Sequence, residues 1–177
     1  MHDDPSAAKV ISAILGDAIS TAAVHYMSAA NNDLFEVPNS LKPQTPNDLW
    51  AKYDRPSLES EGLSSQIDFE TRVIPEPDTL DAFLAANQSS SPLAGLGLNL
   101  VNPETYKSRQ DACSSIANCT GWWRFSGIGY NRGKTEALIH TDYDDPRYSL
   151  MGTGHFVLLH RNTDLWTVVA TKMTWIS

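Results

Sequence analysis

The stretch from Glu136 to Arg161 holds the side chains that could do chemistry. It reads EALIHTDYDDPRYSLMGTGHFVLLHR and contains three histidines and three aspartates. Imidazole and carboxylate groups are the usual ligands of zinc and similar divalent ions, and a histidine oriented by a carboxylate is a common general base. His140, Asp142 and His155 are therefore the candidate catalytic residues and also the candidate ligands of a divalent metal. The alternative is that Asp142 and His155 form a polar cross-strand pair on a solvated hairpin.

These side chains are positioned by four runs rich in β-branched and aromatic residues, which begin near Trp122. The runs are separated by turn-like breaks at 131–134, 144–153 and 162–164. This pattern predicts a four-stranded antiparallel meander over residues 120–177. Centring each turn predicts the pairing, with His155 opposite Asp142, Val157 opposite His140, Phe125 beside His140 and Thr171 beside His155.

The predicted register gives the sheet two different faces. One face is apolar and is the surface that an N-terminal helix would cover; it carries Ile128, Ala137, Ile139, Phe156, Leu158, Trp166 and Val168. The other face ends in a patch of aromatic and polar groups, and such a patch is typical of a small-molecule pocket. Its members are Trp123, Phe125, His140, Asp142, His155 and Thr171, of which Trp123, Phe125 and Thr171 are the predicted binding residues.

The N-terminal segment is predicted to be one helix over residues 5–30. Its apolar residues recur at three- and four-residue spacing, and Pro5 suits a first helical turn. The segment 31–119 is rich in proline and is predicted to be irregular with short elements. These predictions describe a single α+β domain over residues 1–177, with the helix packed on the C-terminal sheet.

Three short elements are expected inside the irregular middle segment. Residues 66–74 alternate apolar and polar side chains and are predicted to form a strand. Asp78 is predicted to cap a short helix that ends near Asn87. A further helix is expected between Pro103 and Ile116.

The composition excludes some partners. The formal net charge is -8, and no cluster of Lys and Arg offsets it, so nucleic acid is not an expected partner. No apolar run is long enough to span a membrane. The start, MHDDPSAAKV, lacks the features of an export signal, although an acidic start directly after Met is also expected where a start codon has replaced that signal. An extracytoplasmic location is predicted, with the cytoplasm as the alternative.

Two cysteines lie close together, Cys113 and Cys119 in DACSSIANCTG. Five intervening residues form a loop that a disulfide can close, and such a bond suits an oxidising compartment. The alternative is a pair of reduced, half-buried thiols. The pair lacks the Cys-x-x-Cys spacing and the further ligands of a zinc site.

The motifs of the common enzyme classes are absent from the sequence. There is no Gly-x-Ser-x-Gly elbow, no His-Glu-x-x-His and no Walker loop, and GIGYNRG lacks the spacing of a dinucleotide fingerprint. These absences and the aromatic pair of Trp122 and Trp123 favour a non-catalytic binding or interaction domain with a small-molecule or protein partner. The alternative is a small hydrolase or lyase, with or without a divalent metal, that uses His140, Asp142 and His155.

The C-terminal third resembles the end of an uncharacterised family of bacterial proteins. The resemblance lies in a turn followed by ALI, a G-x-G-[YH]-F-V-L-L strand and a closing W-x-V and W-I-S. The matching residues are Gly129, Tyr130, Asn131, Ala137, Leu138, Gly152, Gly154, His155, Phe156, Val157, Leu158, Leu159, Trp166, Val168, Trp175, Ile176 and Ser177. The resemblance implies an often exported protein and assigns no catalytic residue. The last hairpin also resembles those of cystatin-like and NTF2-like α+β folds.

Overall fold

The chain folds as α+β in the computed structural model, which describes residues 5–20, 22–26, 75–87, 98–100, 109–145 and 152–176. Its helices are α1 (Pro5–Leu15), a 3-10 helix (Gly16–Ser20), α2 (Pro77–Ala86) and α3 (Arg109–Ser114). Its strands are β1 (Ala22–Tyr26), β2 (Asn99–Leu100), β3 (Gly121–Phe125), β4 (Gly129–Tyr130), β5 (Glu136–Asp144), β6 (Gly152–Asn162) and β7 (Leu165–Ile176). The predicted strand at 66–74 lies outside the described residues.

The strands form one mixed sheet in the order β2-β1-β3-β5-β6-β7, with β4 also paired to β5. The pairs β3–β5, β5–β6 and β6–β7 are antiparallel, as the meander prediction requires. However, β1 is parallel to both β2 and β3, so the prediction of a sheet with only four antiparallel strands was wrong. Parallel neighbours are far apart in sequence, and therefore no local turn signal announces their pairing.

The N-terminal helix is shorter than predicted. It ends at Leu15, where Gly16 takes a left-handed backbone conformation with φ +53°, a common way for a helix to stop. After one 3-10 turn, residues 22–26 form β1 instead of continuing the helix to residue 30. The sequence AAVHY fits a buried strand as well as a helix, and the open position beside β3 decides between them.

Helices cover both faces of the sheet. The α1 face carries an apolar cluster in which Val10, Ile11 and Leu15 pack against residues of five strands, namely Ala22, Val24, Phe125, Ala137, Ile139, Val157, Leu159 and Trp166. On the opposite face, named here the α2 face, Leu80 and Phe83 of α2 pack on Leu138, Phe156 and Leu158. On that same face, Ala112 of α3 packs beside Ala23 and Trp122. The face that was predicted to be open is therefore a second core.

The register of the β5–β6 hairpin differs from the prediction by one residue. Asp142 lies opposite Gly154 and not opposite His155, which pairs with Thr141. Because side chains alternate along a strand, this single step moves Phe156 and Leu158 to the α2 face and replaces them on the α1 face by Val157 and Leu159. Val168, also assigned to the covered face, is 40% exposed.

The first predicted strand of the meander is divided into β3 and β4. The Asn87 side chain bridges the break, since it accepts a hydrogen bond from Gly127 N at 2.9 Å and donates one to Gly127 O at 3.2 Å. A Cβ atom at Gly127 or Gly129 would collide with the backbone of α2, so glycine permits this close packing. The predicted short helix is confirmed as α2, although Glu76 and not Asp78 is its N-cap.

Cys113 and Cys119 are joined by a disulfide, which ties the end of α3 to the segment that leads into β3. The helix expected between Pro103 and Ile116 is found in part, as α3 over Arg109–Ser114, and residues 103–108 lie outside the described part. None of the helices in the described ranges has the length and apolar character needed to cross a membrane.

Candidate functional site

The observed register separates the three predicted site residues. Arg124 pairs with Asp142 across β3 and β5, and His140 is two residues from Asp142, so these three side chains share the α2 face. His155 pairs with Thr141, which places it on the α1 face with Phe125. The sheet itself therefore stands between His155 and the other two members of the trio.

Asp142 forms a buried ion pair with Arg124. Its Oδ2 lies 2.9 Å from Arg124 Nη2, and the two side chains are 0% and 7% exposed. Its Oδ1 lies 3.8 Å from His140 Nδ1. Taking a carboxylate out of water costs several kcal/mol, so a guanidinium at this distance is what allows Asp142 to remain charged there.

His140 is fully buried and is held there as a neutral ring. Its Nε2 is 3.0 Å from Thr174 Oγ1, and its ring meets Phe156 edge to face with centroids 5.0 Å apart. Burial lowers the pKa of His140 from 6.5 to about 3, with smaller contributions from the positive charge of Arg124 and from His155. Near neutral pH this ring carries no charge, and so low a pKa makes it a weak base.

The predicted metal site is not formed by the trio. Within the described ranges, no group of three His, Cys, Asp or Glu side chains is placed to hold an ion. His140 and Asp142 are close together, but Oδ2 of Asp142 is already paired with the Arg124 guanidinium. The missing third ligand follows from the one-residue difference in register.

A second buried carboxylate, Glu136, was not predicted as a key residue. Its Oε1 accepts hydrogen bonds from Glu76 N and Thr79 Oγ1, both at 2.7 Å, and its Oε2 lies 3.1 Å from His160 Nε2. Glu136 thus joins the start of β5 to the first turn of α2, where a negative charge is stabilising. The signal in the sequence was weak, because only the fold brings residue 136 beside residue 76.

Aromatic side chains gather at one end of the α1 face. The rings of Trp123 and Phe125 are stacked with centroids 6.0 Å apart, and Trp123 also contacts Tyr143 at 4.7 Å. Trp123 and Tyr143 are cross-strand neighbours and form one row across the sheet. The next row contains Phe125, Thr141 and His155, with Thr141 directly opposite His155. These five residues are named here the aromatic end. Trp123, Tyr143 and His155 are partly exposed there, whereas Phe125 and Thr141 are buried.

The aromatic end contains polar groups that lack partners. Trp123 Nε1 and Thr141 Oγ1 are buried atoms with no hydrogen bond to any residue that the structure describes. Nor does a hydrogen bond join the His155 ring to another described residue, and burial lowers the pKa of His155, so this imidazole is neutral at pH 7. Tyr143, by contrast, donates its hydroxyl hydrogen to Thr120 O at 3.1 Å.

Thr171, the third predicted binding residue, lies on the α1 face opposite Val157 and is exposed. It is one row away from the His155–Met173 pair and therefore flanks the aromatic end. The structure thus places Trp123, Phe125, His155 and Thr171 on one face, and His140 and Asp142 on the other.

Comparison of the chain with family models, curated proteins and solved structures finds no match. The resemblance of the C-terminal third to a bacterial family stays a prediction.

The two faces offer different chemistry. Arg124, His140 and Asp142 form a buried cluster around the ion pair of Arg124 with Asp142. The aromatic end offers apolar rings, a buried indole N–H and a buried hydroxyl at a partly exposed surface, which is the composition of a recognition site. Sequence reasoning missed Thr141 and Tyr143 because the predicted register placed Phe125 and His155 beside His140 and Asp142, whereas in the structure both pair with Thr141.

Proposed function

We propose that the protein is a non-catalytic binding domain and that the aromatic end is its binding surface. The observation that carries the proposal is the division between the faces. The groups best suited to catalysis, His140 and Asp142, are fully buried, whereas Trp123 and His155 are partly exposed on the other face. The partner is a small molecule or a segment of a protein that inserts an apolar group.

The hydrolase alternative has less support. A general base must come within hydrogen-bond reach of its substrate, and it works best with a pKa near the working pH. His140 has a pKa of about 3 and no exposed surface. His155 is partly exposed, but its cross-strand neighbours Thr141 and Met173 are not acids that could orient it.

An extracytoplasmic location belongs to the same proposal. The disulfide between Cys113 and Cys119 supports it, because such bonds persist mainly in oxidising compartments.

The test combines an activity assay with a binding assay on the full chain. Hydrolysis of p-nitrophenyl acetate and p-nitrophenyl phosphate is measured for the wild type, His155→Ala and Asp142→Asn, and His160→Ala serves as a control because His160 is exposed and lies far along β6. We expect no turnover that depends on His155 or Asp142. In parallel, ligand-observed NMR with a fragment library should give hits that Trp123→Ala abolishes and His160→Ala retains. Turnover that disappears in His155→Ala or Asp142→Asn contradicts the proposal.

A further inference from the structure

We infer that the aromatic end binds an uncharged, largely apolar small molecule that presents a hydrogen-bond acceptor to Trp123 and a polar group to Thr141. The inference rests on the proposed binding function and adds the chemical class of the ligand. It is carried by two buried polar atoms with no partner in the described part of the chain, Trp123 Nε1 and Thr141 Oγ1.

An unpaired buried donor is unfavourable, and native proteins contain few of them. Leaving such a group without a partner costs about 1–3 kcal/mol, and the great majority of buried polar atoms are hydrogen-bonded. An indole N–H can only donate, so its partner must be an acceptor, whereas a hydroxyl can do both. A ligand with a carbonyl or ether oxygen near Trp123 removes this cost when it binds.

The spacing of these groups suits one small ligand. Trp123 and Phe125 are alternate residues on β3, so their rows on the α1 face are about 7 Å apart at the usual rise per residue. Thr141 and His155 form a directly opposed pair in the second row, where Cβ atoms are typically about 4.5–5.5 Å apart. A ligand of one or two fused rings spans the two rows and lies against the exposed part of Trp123, whose ring is stacked on the buried ring of Phe125.

The charges around the site argue against an ionic ligand. None of the five residues of the aromatic end carries a formal charge at pH 7, since burial keeps His155 neutral. The nearest ion pair in these rows, Arg124 with Asp142, is turned to the α2 face. The chain as a whole carries a net charge of -8, which disfavours anions further. An ion would lose its hydration there without gaining a partner.

Fluorescence titration of the full chain with two probes tests this inference. Nile red is uncharged, largely apolar and carries acceptor oxygens, whereas anilinonaphthalene sulfonate is similar in size and anionic. The variants are Trp123→Phe, which keeps a ring and removes the N–H, and Thr141→Val, which keeps the shape and removes the hydroxyl. Trp166→Phe is the matched control, because Trp166 Nε1 also lacks a partner in the described residues but lies near the other end of the α1 face.

We expect Nile red to bind the wild type more tightly than the sulfonate does. Trp123→Phe and Thr141→Val should each weaken Nile red binding about tenfold, the effect of one lost hydrogen bond at a desolvated site. Trp166→Phe should change it less than about twofold. Thr141→Val should also keep or raise the thermal unfolding temperature, because it removes a buried hydroxyl that has no hydrogen bond to a described residue.

The contrary outcomes separate the inference from the proposed function. Equal Nile red affinities in the wild type and in both variants, or no Nile red binding at all, overturn the inference. Tighter, Trp123-dependent binding of the sulfonate overturns the uncharged class of ligand and supports the binding function. Turnover that depends on His155 contradicts the function itself, whatever the probes show.

Discussion

The two faces of the sheet bury different kinds of polar group. On the α2 face, the carboxylate of Asp142 forms an ion pair with Arg124 at 2.9 Å, and the carboxylate of Glu136 accepts a hydrogen bond from Thr79 at 2.7 Å. At the aromatic end of the α1 face, the buried polar atoms are neutral and have no partner among the described residues. A paired buried charge holds structural elements together, whereas an unpaired neutral group leaves a place for a ligand. On the α2 face, His140 Nδ1 also has no hydrogen bond to a described residue, but His140 is fully buried. Function is therefore expected at the aromatic end, where incomplete hydrogen bonding lies beside partly exposed side chains.

The largest effect should come from breaking the buried ion pair. Asp142→Ala removes the carboxylate that faces the buried Arg124, which should lower the free energy of unfolding by about 3–5 kcal/mol in urea denaturation. The matched control is Lys9→Ala, which breaks the exposed pair of Lys9 with Asp164 at 3.9 Å and should change it by less than about 0.5 kcal/mol. Similar losses in both variants would show that the α2 face does not depend on this charge pair.

The second prediction concerns pH. The folded-state pKa of His140 is about 3 and its ordinary value is 6.5, so the unfolded chain takes up a proton that the folded chain excludes. The contribution of His140 to stability is complete above pH 6.5 and is lost as the pH falls toward 3, by up to about 1.4 kcal/mol per pH unit.

Urea unfolding of the wild type and of His140→Gln at pH 7, 6 and 5 measures this contribution. The wild type should lose stability more steeply than the variant, because glutamine has no proton to take up. His160→Gln is the control, since His160 is about half exposed. Parallel slopes for the wild type and His140→Gln would rule out a buried neutral histidine on the α2 face.

A smaller effect is expected at the start of α2. Glu136→Ala removes the acceptor of Glu76 N and Thr79 Oγ1 and should cost about 1–3 kcal/mol in unfolding free energy. Glu136→Gln keeps an acceptor oxygen there and should cost less. Asp81→Ala, on the exposed side of α2, is the control. If alanine and glutamine at position 136 behave alike, the contact with His160 matters more than the hydrogen bonds to α2.

Several local features could be predicted from the sequence. The segments of β5, β6 and β7 are rich in β-branched and aromatic residues, and turn-like breaks separate them. These strands form where they were expected. The short helix before Asn87 and the pairing of Cys113 with Cys119 also depend on nearby residues. Trp123 and Phe125 were assigned correctly to one face, because alternate residues of one strand always share a face.

Only the tertiary structure decided which residues meet. The pairing of His155 with Thr141, and not with Asp142, depends on how α1 and α2 fill both faces of the sheet, and turn lengths alone leave an ambiguity of one residue. The strand at residues 22–26 forms because an open position beside β3 offers parallel hydrogen bonds. Local sequence determined the strands and the functional groups they carry. Long-range packing determined which of these groups are buried in an ion pair and which lie at a surface where a ligand could bind.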